Sequence, residues 1–169
     1  SEVTSSSSDT KIWQKILELA ASQIKETKWS EQLAAITICK LLPNDSALFV
    51  GSSRPVRDIE AFAAPRSGVD VFANRGLAGI DGNISTAFGI ATKYKSSSAI
   101  MGDLTFLHDI SALANKSKEN LRIYVIDNNG GGIFSTLPQA EVENFDHLFG
   151  TPHNLDLTKV VAGFEVSVS

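Results

Sequence analysis

The sequence predicts an α/β domain, a parallel sheet flanked by helices, and three observations carry the prediction. Short apolar runs alternate with segments of helical period four times along the chain. The last run, Leu121–Ile126 (LRIYVI), is almost continuously apolar, the pattern of a strand buried on both faces. The glycine-rich stretches at Gly51, Gly76–Gly82, Gly102 and Gly130–Gly132 each follow a predicted strand, where open α/β sheets bind ligands.

The elements follow in order. The opening SEVTSSSSDT has no apolar stretch of the kind a signal peptide needs and reads as a flexible linker. Residues 11–27 set Ile12, Ile16, Leu19 and Ile24 near one face of a helix. Ser30 suits the cap of a second helix, which Pro43 closes after Leu42. Residues 47–50 (ALFV) form a strand, and Pro55 fits the first turn of a helix reaching about Ala64. Residues 69–73 (VDVFA) are the second strand, followed by the loop NRGLAGIDG and a helix from Asn83 to about Tyr94. Residues 98–101 (SAIM) are the third strand, with a helix from Thr105 to about Lys116 and a polar turn to Asn120. After the fourth strand, a helix is expected near Leu157–Ala162 and a strand start at FEVSV. Residues 1–28 are thus expected to be a linker and connecting helix, and 29–169 one domain, truncated at its C-terminus.

Composition narrows the function. The chain has 169 residues, 43% hydrophobic and 20% charged, with a net charge of −4. No basic stripe exists to hold a nucleic acid, and no apolar run approaches the ~20 residues that span a bilayer. The single cysteine, Cys39, lies in an apolar segment, which suits a buried thiol in a reducing, cytoplasmic setting.

The stretch from Met101 to Phe134 places Asp103 after one strand and Asn128 after the next. Adjacent parallel strands lie about 4.8 Å apart. Two ligands on opposite sides of Mg²⁺, each at about 2.1 Å, span a similar distance. Asp103 and Asn128 can therefore grip one hard cation, with the carbonyl of Gly130 as a third ligand, glycine having backbone angles closed to other residues. Phosphate oxygens and water would complete the shell, and the helix beginning near Thr105 would offer amides to the same phosphates. Taken singly, Asp103 also suits a helix cap and Asn129-Gly130 a turn; their order and interval favour a diphosphate held through a metal. No G-x-G-x-x-G directly follows a strand with an acid about 20 residues on, which argues against a dinucleotide fold. No ligand spacing links His108, His147 and His153, and none is assigned a role.

Gly102-Asp103-Leu104 leading to Asn128-Asn129 resembles the diphosphate-binding motif of thiamine diphosphate enzymes, with Leu104 where the usual motif has a glycine. Together with LFVGSSRPVRD, ANRGLAGIDGNISTAFGIA, GDLTFLHDISAL, NNGGGIFSTLPQ and FGTPHNLDLTKVVAGF, it resembles the C-terminal, diphosphate-binding domain of the 2-succinyl-5-enolpyruvyl-6-hydroxy-3-cyclohexene-1-carboxylate (SEPHCHC) synthase family of menaquinone biosynthesis. The resemblance implies thiamine diphosphate with Mg²⁺ or Mn²⁺, 2-oxoglutarate and isochorismate as substrates, and a transferase reaction. It also implies Asp103, Asn128 and Gly130 as metal ligands, and Ser53, Arg57 and Arg75 as substrate-binding residues. Ile80, Gly102, Asp103, Leu104, Thr105, Asn128, Gly130, Ile133 and Phe134 would face the cofactor. The activating glutamate would sit in a separate pyrimidine-binding domain, so the chain holds no catalytic acid of its own and is expected to be inactive alone. The whole enzyme would be a homodimer or tetramer. An acetolactate-synthase-type enzyme and a noncatalytic diphosphate-binding module are the competing readings.

Overall fold

The computed structural model describes residues 7–25, 29–115 and 120–169. They form two compact units, with the division passing through one helix between Arg57 and Asp58.

The smaller unit holds α1 (Ser7–Lys25), α2 (Glu31–Leu41) and the end of α3 (Arg54–Phe62). Residues 7–10, expected as linker, are already helical; 1–6 and 26–28 lie outside the described residues. Ser30 caps α2 as expected, its hydroxyl accepting from Leu33 N at 3.0 Å. Ala35, Ile38 and Cys39 are buried, whereas Ile12, Ile16 and Leu19 of the α1 stripe are exposed.

The larger unit is built on β1 (Ser46–Val50), β2 (Val69–Phe72), β3 (Ser97–Gly102) and β4 (Leu121–Ile126). All pairings are parallel and the order is β2-β1-β3-β4. The chain therefore reverses its winding between β1 and β3, the switch point at which such sheets open a crevice. β1 and β3 are the central strands; β1 is buried throughout and β3 up to Met101. α4 (Asn83–Ala91) and α5 (Asp103–His108) lie against β1, β3 and β4. Phe49, Ile84, Ala87, Ala99, Met101 and Phe106 form the centre of the core.

Four expectations are corrected. β4 is half-buried rather than buried on both faces, because among the described residues it is an edge strand pairing only with β3. α4 stops at Ala91, where the side chain of Asn120 takes the carbonyls of Ala91 and Tyr94 that a continuing helix would use. The helix expected from Thr105 starts at Asp103 and breaks at Asp109, whose backbone leaves the helical region (φ −115°, ψ 20°) as its carboxylate accepts from Ser85 N at 2.9 Å. A 3-10 turn then runs Ile110–Ala114, and residues 116–119, where the turn was expected, lie outside the described residues. The tail forms α6 (Leu157–Val161), capped by Asp156, but no strand at FEVSV. Glu165 adopts a left-handed backbone (φ 54°) that breaks the extended run, and Phe164 and Val166 pack on the core instead. No helix among the described residues is long and apolar enough to cross a membrane.

Candidate functional site

Because the four strands are parallel, the segments that follow them leave from one edge of the sheet. Ser53 follows β1, Arg75 and Ile80 follow β2, Asp103 follows β3, and Asn128–Gly130 follows β4. Gly51 lets the ends of β1 and β3 meet: a Cβ there would stand 3.0 Å from Met101 Cβ, and its amide bonds Ile100 O at 2.8 Å. The next side chain, Ser52, is buried with its hydroxyl unpartnered.

Asp103 is the most heavily engaged group at this edge and is 2% exposed. The register pairs Gly102 with Ile126, so Asp103 and Asp127 are the next residues on neighbouring strands. Asp103 Oδ1 accepts from its neighbour Leu104 N at 2.7 Å. Oδ2 accepts from Gly130 N at 2.7 Å and lies 3.0 Å from His153 Nε2. The same Nε2 is 3.6 Å from Asp127 Oδ1, which accepts from Asn129 N at 2.9 Å. Leu155 N donates to His153 Nδ1 at 3.0 Å, so the ring proton sits on Nε2 and Nε2 is the donor to Asp103.

The loop after β4 is closed down by the tail. Asn129, with φ 63°, donates to Asn154 Oδ1 at 3.0 Å and accepts from Asn154 N at 2.7 Å. Gly131 N donates to Gly150 O at 2.7 Å. Gly130 takes φ 136°, and a Cβ on it would stand 2.2 Å from Gly150 O. A Cβ on Gly131 would stand 2.3 Å from Phe149 O, and one on Gly132 would meet Asn128 Nδ2 at 2.6 Å. The three glycines are there because backbone and the Asn128 amide occupy the space side chains would need.

The structure thus brings Asp103 and Gly130 into direct contact, with Asn128 on the same loop and Thr105 buried in α5. Two features differ from the simplest sequence picture. α5 is only six residues long, and its Leu104 amide is taken by Asp103 itself. Asp127 and His153 join Asp103, each offering one ligand atom within 4.8 Å of the others. Neither was singled out from the sequence, and no local spacing could have joined a histidine to an aspartate at |i−j| = 50.

The remaining predicted residues follow the strands at the same edge. Arg57 is exposed and its Nη1 donates to Ser53 O at 2.7 Å, across a left-handed Ser53 (φ 75°). Arg75 is exposed on the loop after β2, which Asn74 ties to Thr86 at 3.3 Å. Half-buried Ile80 lies in a turn held by the buried Asn83, whose Nδ2 donates to Gly79 O at 3.3 Å and Asp81 O at 3.0 Å. Ile133 is half-buried, and Phe134 leans on Phe149 at 5.8 Å.

The four-stranded parallel sheet flanked by helices is an open α/β fold, and its acid and glycine loop meet at the carboxyl edge. An enzyme from Mycobacterium smegmatis described as thiamin diphosphate-dependent superposes with a TM-score of 0.62, at 20% identity, over 83% of this chain and 26% of its own. No protein-family model matches. Among curated proteins, the SEPHCHC synthase of Thermobifida fusca is 42% identical over 141 residues, which is 79% of this chain and 26% of that protein. That of Lysinibacillus sphaericus is 43% identical over 157 residues (88% and 27%), and that of Bacillus cytotoxicus 46% over 128 (73% and 22%). Over the stretch matched, this chain is similar to SEPHCHC synthases. It spans about a quarter of the length of the curated relatives it matches.

Proposed function

We propose that the chain is the C-terminal, diphosphate-binding domain of a SEPHCHC synthase, placing thiamine diphosphate through Mg²⁺ or Mn²⁺. The observation that carries the reading is the state of Asp103. A carboxylate offers about four lone-pair sites. Leu104 N, Gly130 N and His153 Nε2 account for three, leaving one on Oδ1 for a cation. A buried carboxylate with a spare acceptor at a sheet switch point fits a metal-bridged diphosphate.

In this reading Asp103 Oδ1, the Asn128 side-chain oxygen and the Gly130 carbonyl hold the metal, all hard oxygen donors suited to Mg²⁺. Gly102 and Thr105 would form the backbone cradle beside it, with Leu104 facing the cofactor while its amide holds Asp103. The unpartnered Ser52 hydroxyl shows that the same edge has a further polar group to offer. Ile80, Ile133 and Phe134 supply apolar walls that exclude water from the reacting region. When bound, thiamine diphosphate supplies an electron sink for loss of CO₂ from 2-oxoglutarate and transfer of the succinyl unit to isochorismate. Both substrates carry carboxylates, which Arg57 and Arg75 would bind by bidentate pairing, with Ser53 beside them. The activating glutamate and the pyrimidine-binding surface would come from the rest of the enzyme, assembled as a cytoplasmic homodimer or tetramer. Alone, the chain should therefore show no turnover.

Calorimetric titration of thiamine diphosphate, with and without Mg²⁺, into the intact protein and its Asp103→Ala variant tests the reading. Metal-dependent binding that the variant loses is expected. Binding indifferent to both metal and substitution refutes the ligand assignment. Turnover of pyruvate in place of 2-oxoglutarate by the intact protein would instead support an acetolactate-synthase-type enzyme.

A further inference from the structure

His153 is held at both ring nitrogens. Leu155 N donates to Nδ1 at 3.0 Å, which fixes the proton on Nε2 and turns that nitrogen into a donor. Nε2 lies 3.0 Å from Asp103 Oδ2 and 3.6 Å from Asp127 Oδ1. The imidazole is largely buried, its side chain 10% exposed, and Asp103 beneath it is 3% exposed, so solvent does little to weaken the bond. Gly130 N also donates to Oδ2, at 2.7 Å. Oδ2 is then saturated, and the carboxylate has only Oδ1 to present.

We propose that His153 is a positioning residue: its Nε2–H locks the Asp103 carboxylate so that Oδ1 alone faces the divalent cation. This rests on the metal-binding reading of Asp103 given above. It also decides between two roles for the cluster of Asp103, Asp127 and His153. A histidine whose Nε2 carries the proton and whose Nδ1 accepts a backbone amide has no lone pair left for a metal. His153 therefore acts from behind the ligand, as outer-shell partners of metal-bound carboxylates do. The tail supports the same role. The reciprocal bonds between Asn129 and Asn154, and the bond from Gly131 N to Gly150 O, hold the segment that carries His153 against the loop that carries Gly130.

The test is Mn²⁺ binding to the intact protein in the presence of thiamine diphosphate, followed by the electron spin resonance signal of the free ion. Wild type, Asp103→Ala, His153→Ala and His153→Gln are compared. The glutamine amide can place an N–H near the position of Nε2 without an imidazole. Loss of an outer-shell partner weakens metal affinity about 10- to 100-fold. His153→Ala should fall in that range and His153→Gln should recover most of it, while Asp103→Ala abolishes binding. Pulsed spectra of the wild type should show no directly coordinated imidazole nitrogen. Unchanged affinity in His153→Ala, with binding still lost in Asp103→Ala, overturns the positioning role and leaves the metal reading standing. A coordinated imidazole nitrogen, or a glutamine variant as weak as the alanine one, also overturns it. Equal binding by wild type and Asp103→Ala removes the metal reading itself, and this inference with it.

Discussion

Gly130→Ala should be among the most damaging single changes in the loop after β4, and the size of the effect follows from where the new methyl must go. At φ 136° a side chain is strained before it touches anything, at a cost of about 1–3 kcal/mol. The added Cβ would stand 2.2 Å from Gly150 O and 3.1 Å from Thr151 O, both backbone atoms that no rotamer change can move. Relief requires lifting the Gly150 segment, which breaks the bond from Gly131 N to Gly150 O, worth about 1 kcal/mol. It also disturbs the charge-assisted bond from Gly130 N to Asp103, worth about 1.5–3 kcal/mol. Together these predict a loss of about 3.5–7 kcal/mol, or a fall of about 7–28 °C in melting temperature for a domain of this size. Gly82→Ala is the internal control. It has a comparable left-handed backbone (φ 64°) but open space around the new methyl, so only about 1–2 kcal/mol of strain is expected. Thermal denaturation followed by circular dichroism ranks the two. If Gly130→Ala melts within about 2 °C of Gly82→Ala, the loop is not seated under residues 150–151 and the reasoning fails.

Other substitutions test other parts of the fold. Gly89→Ala lies inside α4 with nothing within 4 Å of the new methyl, so it should stabilise the protein by about 0.5–1 kcal/mol in the same melts. Phe49→Ala empties the centre of the core at a site 1% exposed, and urea denaturation should show a loss of about 3–5 kcal/mol. The Asp156 carboxyl is held below the usual aspartate range, first by the Thr158 hydroxyl and then by Lys159. A depressed acid contributes fully above its unfolded pKa and loses that contribution as pH falls through the folded value. Asp156→Asn should therefore flatten the acid side of the stability–pH curve, measured by urea titrations from neutral pH downward.

Much of the fold could be read from local pattern. All four strands fall where apolar runs between turn residues put them, and Ser30 caps α2 as its position before a helical segment implies. What escaped were boundaries set by distant partners. α4 ends early because Asn120, from the turn before β4, takes its last carbonyls. The helix after β3 breaks because Asp109 turns to the first turn of α4. The apolar pattern of β4 is that of an interior strand, yet among the described residues β4 pairs only with β3.

The candidate site divides along the same line. Asp103 stood out because it directly follows β3, and the register that pairs Gly102 with Ile126 sets the loop after β4, which carries Gly130, beside it. His153 follows no strand. It reaches Asp103 through residues 151–156, which have no regular structure, steered by Thr151 and Asn154 in left-handed conformations (φ 42° and 52°) and by a two-way bond between Asn154 and Asn129. None of these has a period or a spacing, so the sequence offers only the residues themselves. The physical consequence is that Asp103 is oriented only in part by its own helix. α5 holds only Oδ1, through its Leu104 amide; Oδ2 is held from outside, by Gly130 and His153. The tail is therefore part of the site rather than its covering. A change anywhere between Phe149 and Leu155 that loosens the segment should be felt at Asp103 Oδ1 before it is felt in the sheet.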